Sequence, residues 1–137
     1  MSAEDRIKLF FKDGNYSEII PDKISDDPLN FTDKKKLVTF VTGGDPDFET
    51  SLQIINTIIK NGADIIEIGM PFSDPMADGP TIQLSSNRAI SKGISLENIF
   101  SLASEAKNTK SDLPIILMGY YNLILYFGIE KFVKRCK

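Results

Sequence analysis

Apolar positions along this chain switch between two periods. From Leu37 to Thr42 they alternate, with Val38, Phe40 and Thr42 on one face and Leu37, Thr39 and Val41 on the other. Gly43-Gly44-Asp45-Pro46 ends that run sharply. From about Phe48 to Asn61 the spacing becomes three and four, so that Leu52, Ile55, Ile58 and Ile59 form the stripe of an amphipathic helix. Asp47 suits the cap of that helix and Gly62 its stop. A second extended run, Asp64 to Ile68, follows directly. Strand, helix and strand within about 30 residues predict a βαβ unit, hence parallel strands joined by a right-handed crossover.

The alternation of periods continues. A Pro/Gly/Asp-rich loop, Pro71–Asp78, leads to a helix from about Pro80 to Lys92 that stops at Gly93. Ser95 caps another from Leu96 to about Asn108, with Ile99, Phe100, Leu102 and Ala103 as its apolar contacts. Pro114 opens a third strand, Ile115 to Gly119, and Phe127 begins a further helix that runs toward Lys137. Upstream, Glu4 to Lys12 is a short amphipathic helix candidate carrying Ile7, Phe10 and Phe11, and Asp13 to Asn30 is polar loop. The expected organisation is residues 1–36 as an N-terminal helix with an irregular extension and residues 37–137 as an α/β domain.

Composition narrows the chemistry. Of 137 residues 42% are hydrophobic, enough for one real core, while 26% are charged with a formal net charge of −3. No basic surface marks a nucleic-acid partner, and no apolar run is long enough for a bilayer. Met1-Ser-Ala-Glu-Asp-Arg6 lacks the layout of a secretion signal, and the single Cys136 excludes an internal disulfide, so the expected location is cytoplasmic. The absence of histidine removes Ser/His triads, imidazole bases and the common zinc sites, and no metal is expected. Acid–base work must fall to carboxylates, tyrosine or lysine.

Two carboxylates stand out. Glu67 shares a strand face with Ile65 and Gly69, whereas Ile66 and Ile68 occupy the opposite face. If those isoleucines pack under helices, Glu67 points to the interior, where an unpaired carboxylate is costly and so marks a site. A half-exposed strand that turns Glu67 to solvent is the plainer alternative. Asp78, taken alone, suits a helix start, because Asp-Gly-Pro precedes Thr81-Ile82-Gln83.

The stretch Ile66-Glu-Ile-Gly-Met-Pro-Phe-Ser-Asp-Pro-Met-Ala-Asp-Gly-Pro-Thr-Ile-Gln83 closely resembles the signature of the tryptophan synthase alpha chain family. Phe40-Val-Thr-Gly-Gly-Asp-Pro46 and Leu117-Met-Gly-Tyr-Tyr-Asn122 resemble that family's first and third strands with their loops. The resemblance implies a partial TIM (β/α)8 barrel: the first three strands with their helices, plus an N-terminal helix. An intact barrel takes roughly 250 residues, so the chain is expected to be truncated, lacking the late-strand loops that hold a substrate phosphate. The N-terminal segment is longer than the connection expected in the family.

The implied activity is that of a lyase, the retro-aldol cleavage of indole-3-glycerol phosphate to indole and glyceraldehyde 3-phosphate. Glu67 matches the acid–base residue and Asp78 the acid that binds the indole N–H. Two carboxylates in different surroundings can hold different protonation states at one pH. Phe40, Thr42, Met118 and Tyr120 match positions around the indole, though ordinary core packing would use the same residues. Pro71, Ser73, Asp74, Pro75 and Asn122 resemble the surface that docks a beta chain in an alpha2-beta2 heterotetramer, with a plain βα connection as the alternative. No cofactor is implied here, pyridoxal phosphate being carried by the beta chain. Two rivals remain: another phosphate-binding barrel enzyme, and a truncated, inactive fragment that serves at most as a beta-chain binder.

Overall fold

The computed structural model describes residues 36–137. The N-terminal helix expected at Glu4–Lys12 and the polar stretch Asp13–Asn30 lie outside them. Within the described residues the order is β1 (Val38–Thr42), α1 (Phe48–Lys60), β2 (Ile65–Gly69), α2 (Pro80–Ser91), α3 (Leu96–Thr109), β3 (Ile115–Met118), α4 (Tyr121–Phe127) and α5 (Ile129–Cys136). The three strands are parallel in the order β1-β2-β3. Their register stacks side chains in rows: Phe40, Glu67 and Ile116 form one, and Thr42, Gly69 and Met118 the next toward the C-terminal ends.

Local chemistry sets the helix starts. Asp47 caps α1, its Oδ1 accepting from the Thr50 backbone N–H at 2.8 Å and its Oδ2 from the Thr50 hydroxyl at 3.0 Å. Ser95 and Asn98 form a capping box at α3. Helix α2 begins differently, with Gly79 at the N-cap, no side-chain cap, and Pro80 in its first turn. Asp78 therefore does not cap α2, and its carboxylate is free for another role.

The core lies on one side of the sheet. Ile66 and Ile68 are fully buried against Ile55 and Ile59 of α1 and Ile99 and Leu102 of α3. Burying each such side chain contributes about 1.5–3 kcal/mol, so this outer face carries the stability. The opposite face is open: Phe40 is 39% exposed and Met118 54%. A sheet covered on one face, with apolar residues left on the other, is the arc of a barrel whose remaining wall is not among these residues.

Two boundaries differ from the pattern-based expectation. Residues Tyr121–Phe127 are helical, not loop, and Asn122 sits in the first turn of α4. Gly128, at φ 95°, breaks this helix from α5, so the helix expected to begin at Phe127 starts two residues later, at Ile129. Glu97 of α3 holds α5 through Lys131 at 3.2 Å and Arg135 at 3.1 Å.

Strand β2 also starts one residue late, because Asp64 serves a different purpose. Its Oδ2 accepts from the Leu37 backbone N–H at 2.8 Å, which tethers the start of β1. That bond, helped by the charge of Lys36, holds the Asp64 carboxyl below the usual carboxylate range. A lowered folded value means the contribution is complete above the unfolded value and lost as pH falls through the folded one. Asp64→Asn is expected to lower the unfolding midpoint at neutral pH. The gap to the parent chain should close on acidification below pH ~4, as paired denaturant titrations would show.

Candidate active site

At the C-terminal ends of the strands a cleft of about 230 Å3 opens between the sheet and α2. Phe40 and Thr42 of β1, Met118 of β3, Gly119 and Tyr120 line one side. Ala77, Asp78, Ile82 and Ser86 line the other, with Met70 and Gly69 between them. Loops at this end of a parallel sheet are where such folds place their chemistry.

Gly69 shapes the floor of the cleft. A Cβ at this position would lie 2.6 Å from Phe40 Cζ and 2.9 Å from Cε2. Only the missing side chain lets the Phe40 ring lie across β2. Behind the opposite wall, the hydroxyls of Thr42 and Ser85 are 2.7 Å apart, which ties β1 to α2.

Asp78 is held from a distance. The Tyr120 hydroxyl accepts from the Ala77 backbone N–H at 2.8 Å and donates to Asp78 Oδ2 at 3.2 Å. The Tyr120 ring packs on Phe72 with centroids 5.1 Å apart. Gln83 Nε2 donates to the Asp78 carbonyl at 2.8 Å, fixing the backbone on the helix side. One carboxylate oxygen thus has a single long bond and the other is available at the cleft wall.

Glu67 is not in that wall. It sits in the row below, between Phe40 and Ile116, two residues or about 6.6 Å down β2 from Gly69. Its side chain is half-buried on the inner face, and no hydrogen bond or ion pair among the described residues engages its carboxylate. Of the six residues matched to catalysis or substrate binding by motif and alternation, the cleft gathers Phe40, Thr42, Asp78, Met118 and Tyr120. Glu67 shares the row of Phe40, one beneath Thr42 and Met118, and is not among the lining residues.

Residues of the loop after β2 face outward. Ser73 and Asp74 are exposed and hydrogen-bonded to each other, and Pro71 and Pro75 are half-buried. Pro71 borders a second, apolar cleft of about 310 Å3 together with Leu123, Tyr126 and Phe127 of α4. Asn122 is exposed on the same helix. Among the described residues no group of three His, Cys, Asp or Glu could hold a metal ion. No described helix is long and apolar enough to cross a membrane.

Sequence pattern alone did not find Phe72, Ile82, Ser86 or Gln83. A usable signal existed for two of them: Asp78, Ile82 and Ser86 are spaced by four, which places the latter two on one face of a helix starting beside Asp78.

Fold and site together define a partial (β/α)8 barrel with an apolar cleft and an oriented carboxylate at the C-terminal ends of its strands. The sequence profile of the tryptophan synthase alpha chain family matches residues 28–137. A tryptophan synthase alpha chain from Geotalea uraniireducens is 55% identical over 100 residues, covering 73% of this chain and 37% of that protein. One from Caldanaerobacter subterraneus subsp. tengcongensis is 50% identical over 111 residues, covering 81% and 42%. The crystal structure of tryptophan synthase subunit alpha from Legionella pneumophila superposes with a TM-score of 0.74 at 37% identity, over 80% of this chain and 42% of that one. The chain belongs to the tryptophan synthase alpha chain family. It spans about two-fifths of the length of the relatives it matches.

Proposed function

We propose that this chain carries the acid–base half of a lyase site that cleaves indole-3-glycerol phosphate to indole and glyceraldehyde 3-phosphate. The supporting observation is Asp78, turned away from helix capping and presented by Tyr120 at the wall of an apolar, ring-sized cleft. In this reading the indole ring lies between Phe40 and Met118 with its N–H on Asp78. Glu67 delivers a proton to indole C3 and removes one from the hydroxyl beside the scissile bond. The carbon–carbon bond then breaks, its electron pair returns to the ring, and the hydroxyl carbon becomes the aldehyde. The Asp78 carboxylate offsets the positive charge on the ring before the bond breaks. The phosphate is left to late-strand loops of a complete barrel.

The same reading makes this a cytoplasmic protein without a cofactor of its own. Its partner is a beta chain that carries pyridoxal phosphate, docked along Pro71, Ser73, Asp74, Pro75 and Asn122. The apolar cleft shared by Pro71 and α4 supports that placement, since it makes the loop and the helix one continuous surface.

The test joins residues 28–137 to the remainder of the Geotalea uraniireducens relative, restoring a full-length barrel. The expected result is release of indole from indole-3-glycerol phosphate, read in a spectrophotometric assay. A folded hybrid that binds the substrate but releases no indole refutes the catalytic assignment and favours a role in beta-chain binding alone.

A further inference from the structure

Helix α2 walls the cleft without a large buried side chain to seat it. Its buried residues are Ser85, Ser86 and Ala89, all small, while Leu84 is 59% and Ile90 37% exposed. No residue of α2 belongs to the cluster that fixes α1 through Ile55 and Ile59 and α3 through Ile99 and Leu102. A helix of this kind forgoes the burial that holds its neighbours, so polar bonds must set its place. Two run to the end of β1, with matched spacing. Thr42 meets Ser85 at 2.7 Å, and three residues further along each segment Asp45 meets Arg88. Arg88 Nε donates to Asp45 Oδ1 and Nη2 to Oδ2, each at 2.8 Å, a bidentate fork. Among the described residues no other side-chain hydrogen bond or ion pair ties α2 to the strands or to the loop after β1.

The carboxylate end of the fork is itself fastened. The Gly43 N–H donates to the Gly69 carbonyl and the Gly44 N–H to the buried Ser51 hydroxyl, both at 2.9 Å, so the loop carrying Asp45 is bound to β2 and to α1. The Asp45 side chain is 17% exposed and that of Arg88 55%. Exposed ion pairs commonly contribute little to stability, so the effect of this one falls on position. The helix it holds presents Ile82 and Ser86 to the cleft, and Gln83 in its first turn donates to the Asp78 carbonyl.

We infer that Arg88 is a positioning residue: through its fork on Asp45 it holds α2, and with it Ile82, Ser86 and the turn bearing Asp78, at the spacing from β1 and β3 that admits an aromatic ring. Arg88 does not line the cleft and acts only through the helix. This inference rests on the ring-binding reading of the cleft given above, and the experiment separates the two.

The chain contains no tryptophan, so the fluorescence of added indole reports its binding without interference from the protein's own indoles. Indole is titrated with the 137-residue chain, with Arg88→Ala, Arg88→Lys and Asp45→Ala, and with the Asp45→Ala/Arg88→Ala double variant. Backbone hydrogen exchange is followed by mass spectrometry on the same proteins without ligand. Arg88→Ala should weaken indole binding about fivefold and speed exchange in α2 about tenfold, with α1 and α3 as in the parent. Asp45→Ala should match it, and the double variant should lose no more than either, because the two side chains make one contact. Arg88→Lys, which keeps the charge but not the fork, should recover part of the loss. Unchanged indole affinity or unchanged α2 exchange in Arg88→Ala, or losses that multiply in the double variant, overturn this inference and leave the ring-binding reading intact. Faster exchange throughout α1, α2 and α3 assigns the pair to overall stability and overturns the positioning role. A parent chain that does not bind indole overturns the ring-binding reading and this inference with it.

Discussion

Replacing Glu67 by glutamine in the hybrid barrel is expected to lower indole release by about 10²–10⁴-fold, the range a positioned general acid–base contributes. Affinity for indole-3-glycerol phosphate should change little. The amide preserves the volume of the side chain between Phe40 and Ile116, so the row in which it sits keeps its packing. It cannot shuttle a proton, and the loss therefore belongs to turnover rather than to binding. The position of Glu67 sharpens this forecast. Lying beneath the cleft wall with no partner among the described residues, its carboxylate supports no structural bond whose removal would unfold the sheet. Retention of most turnover would remove Glu67 from the proton shuttle.

Asp78→Asn in the same hybrid is expected to reduce turnover roughly a hundredfold, corresponding to about 3 kcal/mol for one preorganised electrostatic contact. Positive charge builds on the ring as C3 is protonated, and a neutral amide does not offset it. Ground-state binding should suffer less, because the asparagine oxygen still accepts a hydrogen bond. Stability should be unaffected on the helix side, since Gly79 rather than Asp78 occupies the N-cap of α2. The Tyr120 hydroxyl provides an internal comparison. Tyr120→Phe removes the 3.2 Å bond to Asp78 and the acceptor for Ala77 N–H while keeping the ring on Phe72. It should disturb the placement of Asp78 but leave its charge, giving a smaller loss than Asp78→Asn. Turnover and melting temperature measured on both variants test this order, and near-normal turnover in Asp78→Asn would refute its electrostatic role.

Much of this fold was legible because period and position agree. Alternation in β1 and β2 assigned faces correctly, as the full burial of Ile66 and Ile68 and the exposure of Phe40 show. Helices α1, α2 and α3 were bounded to within about a residue, because Asp47, Pro80 and Ser95 start them and Gly62 and Gly93 follow them. Helix α4 was missed for a physical reason. Tyr121–Phe127 is apolar nearly throughout, so no stripe distinguishes helix from loop, and only the break at Gly128 reveals its end. At the cleft, motif and face assignment picked out the carboxylates and the strand residues. What they did not supply was the tie between Tyr120 and Asp78, which are 42 positions apart and meet only once β3 is seated beside β2. Ser85 and Thr42, separated by 43 positions, were invisible for the same reason.

The arrangement at Gly69 has a consequence for how such a cleft can change. Its depth is set by a vacancy on one strand that the ring of a neighbouring strand fills, so positions 69 and 40 form a single unit. A methyl at 69 would displace the Phe40 ring, a partly exposed side chain that lines the cleft. The space for a ligand would shrink by the movement of the ring as well as by the added methyl. Conversely, a chain that acquires alanine at 69 can recover the space only by a smaller residue at 40. Substitutions at the two positions should therefore compensate when made together and fail when made singly. Any attempt to enlarge or reshape this cleft has to vary the pair jointly.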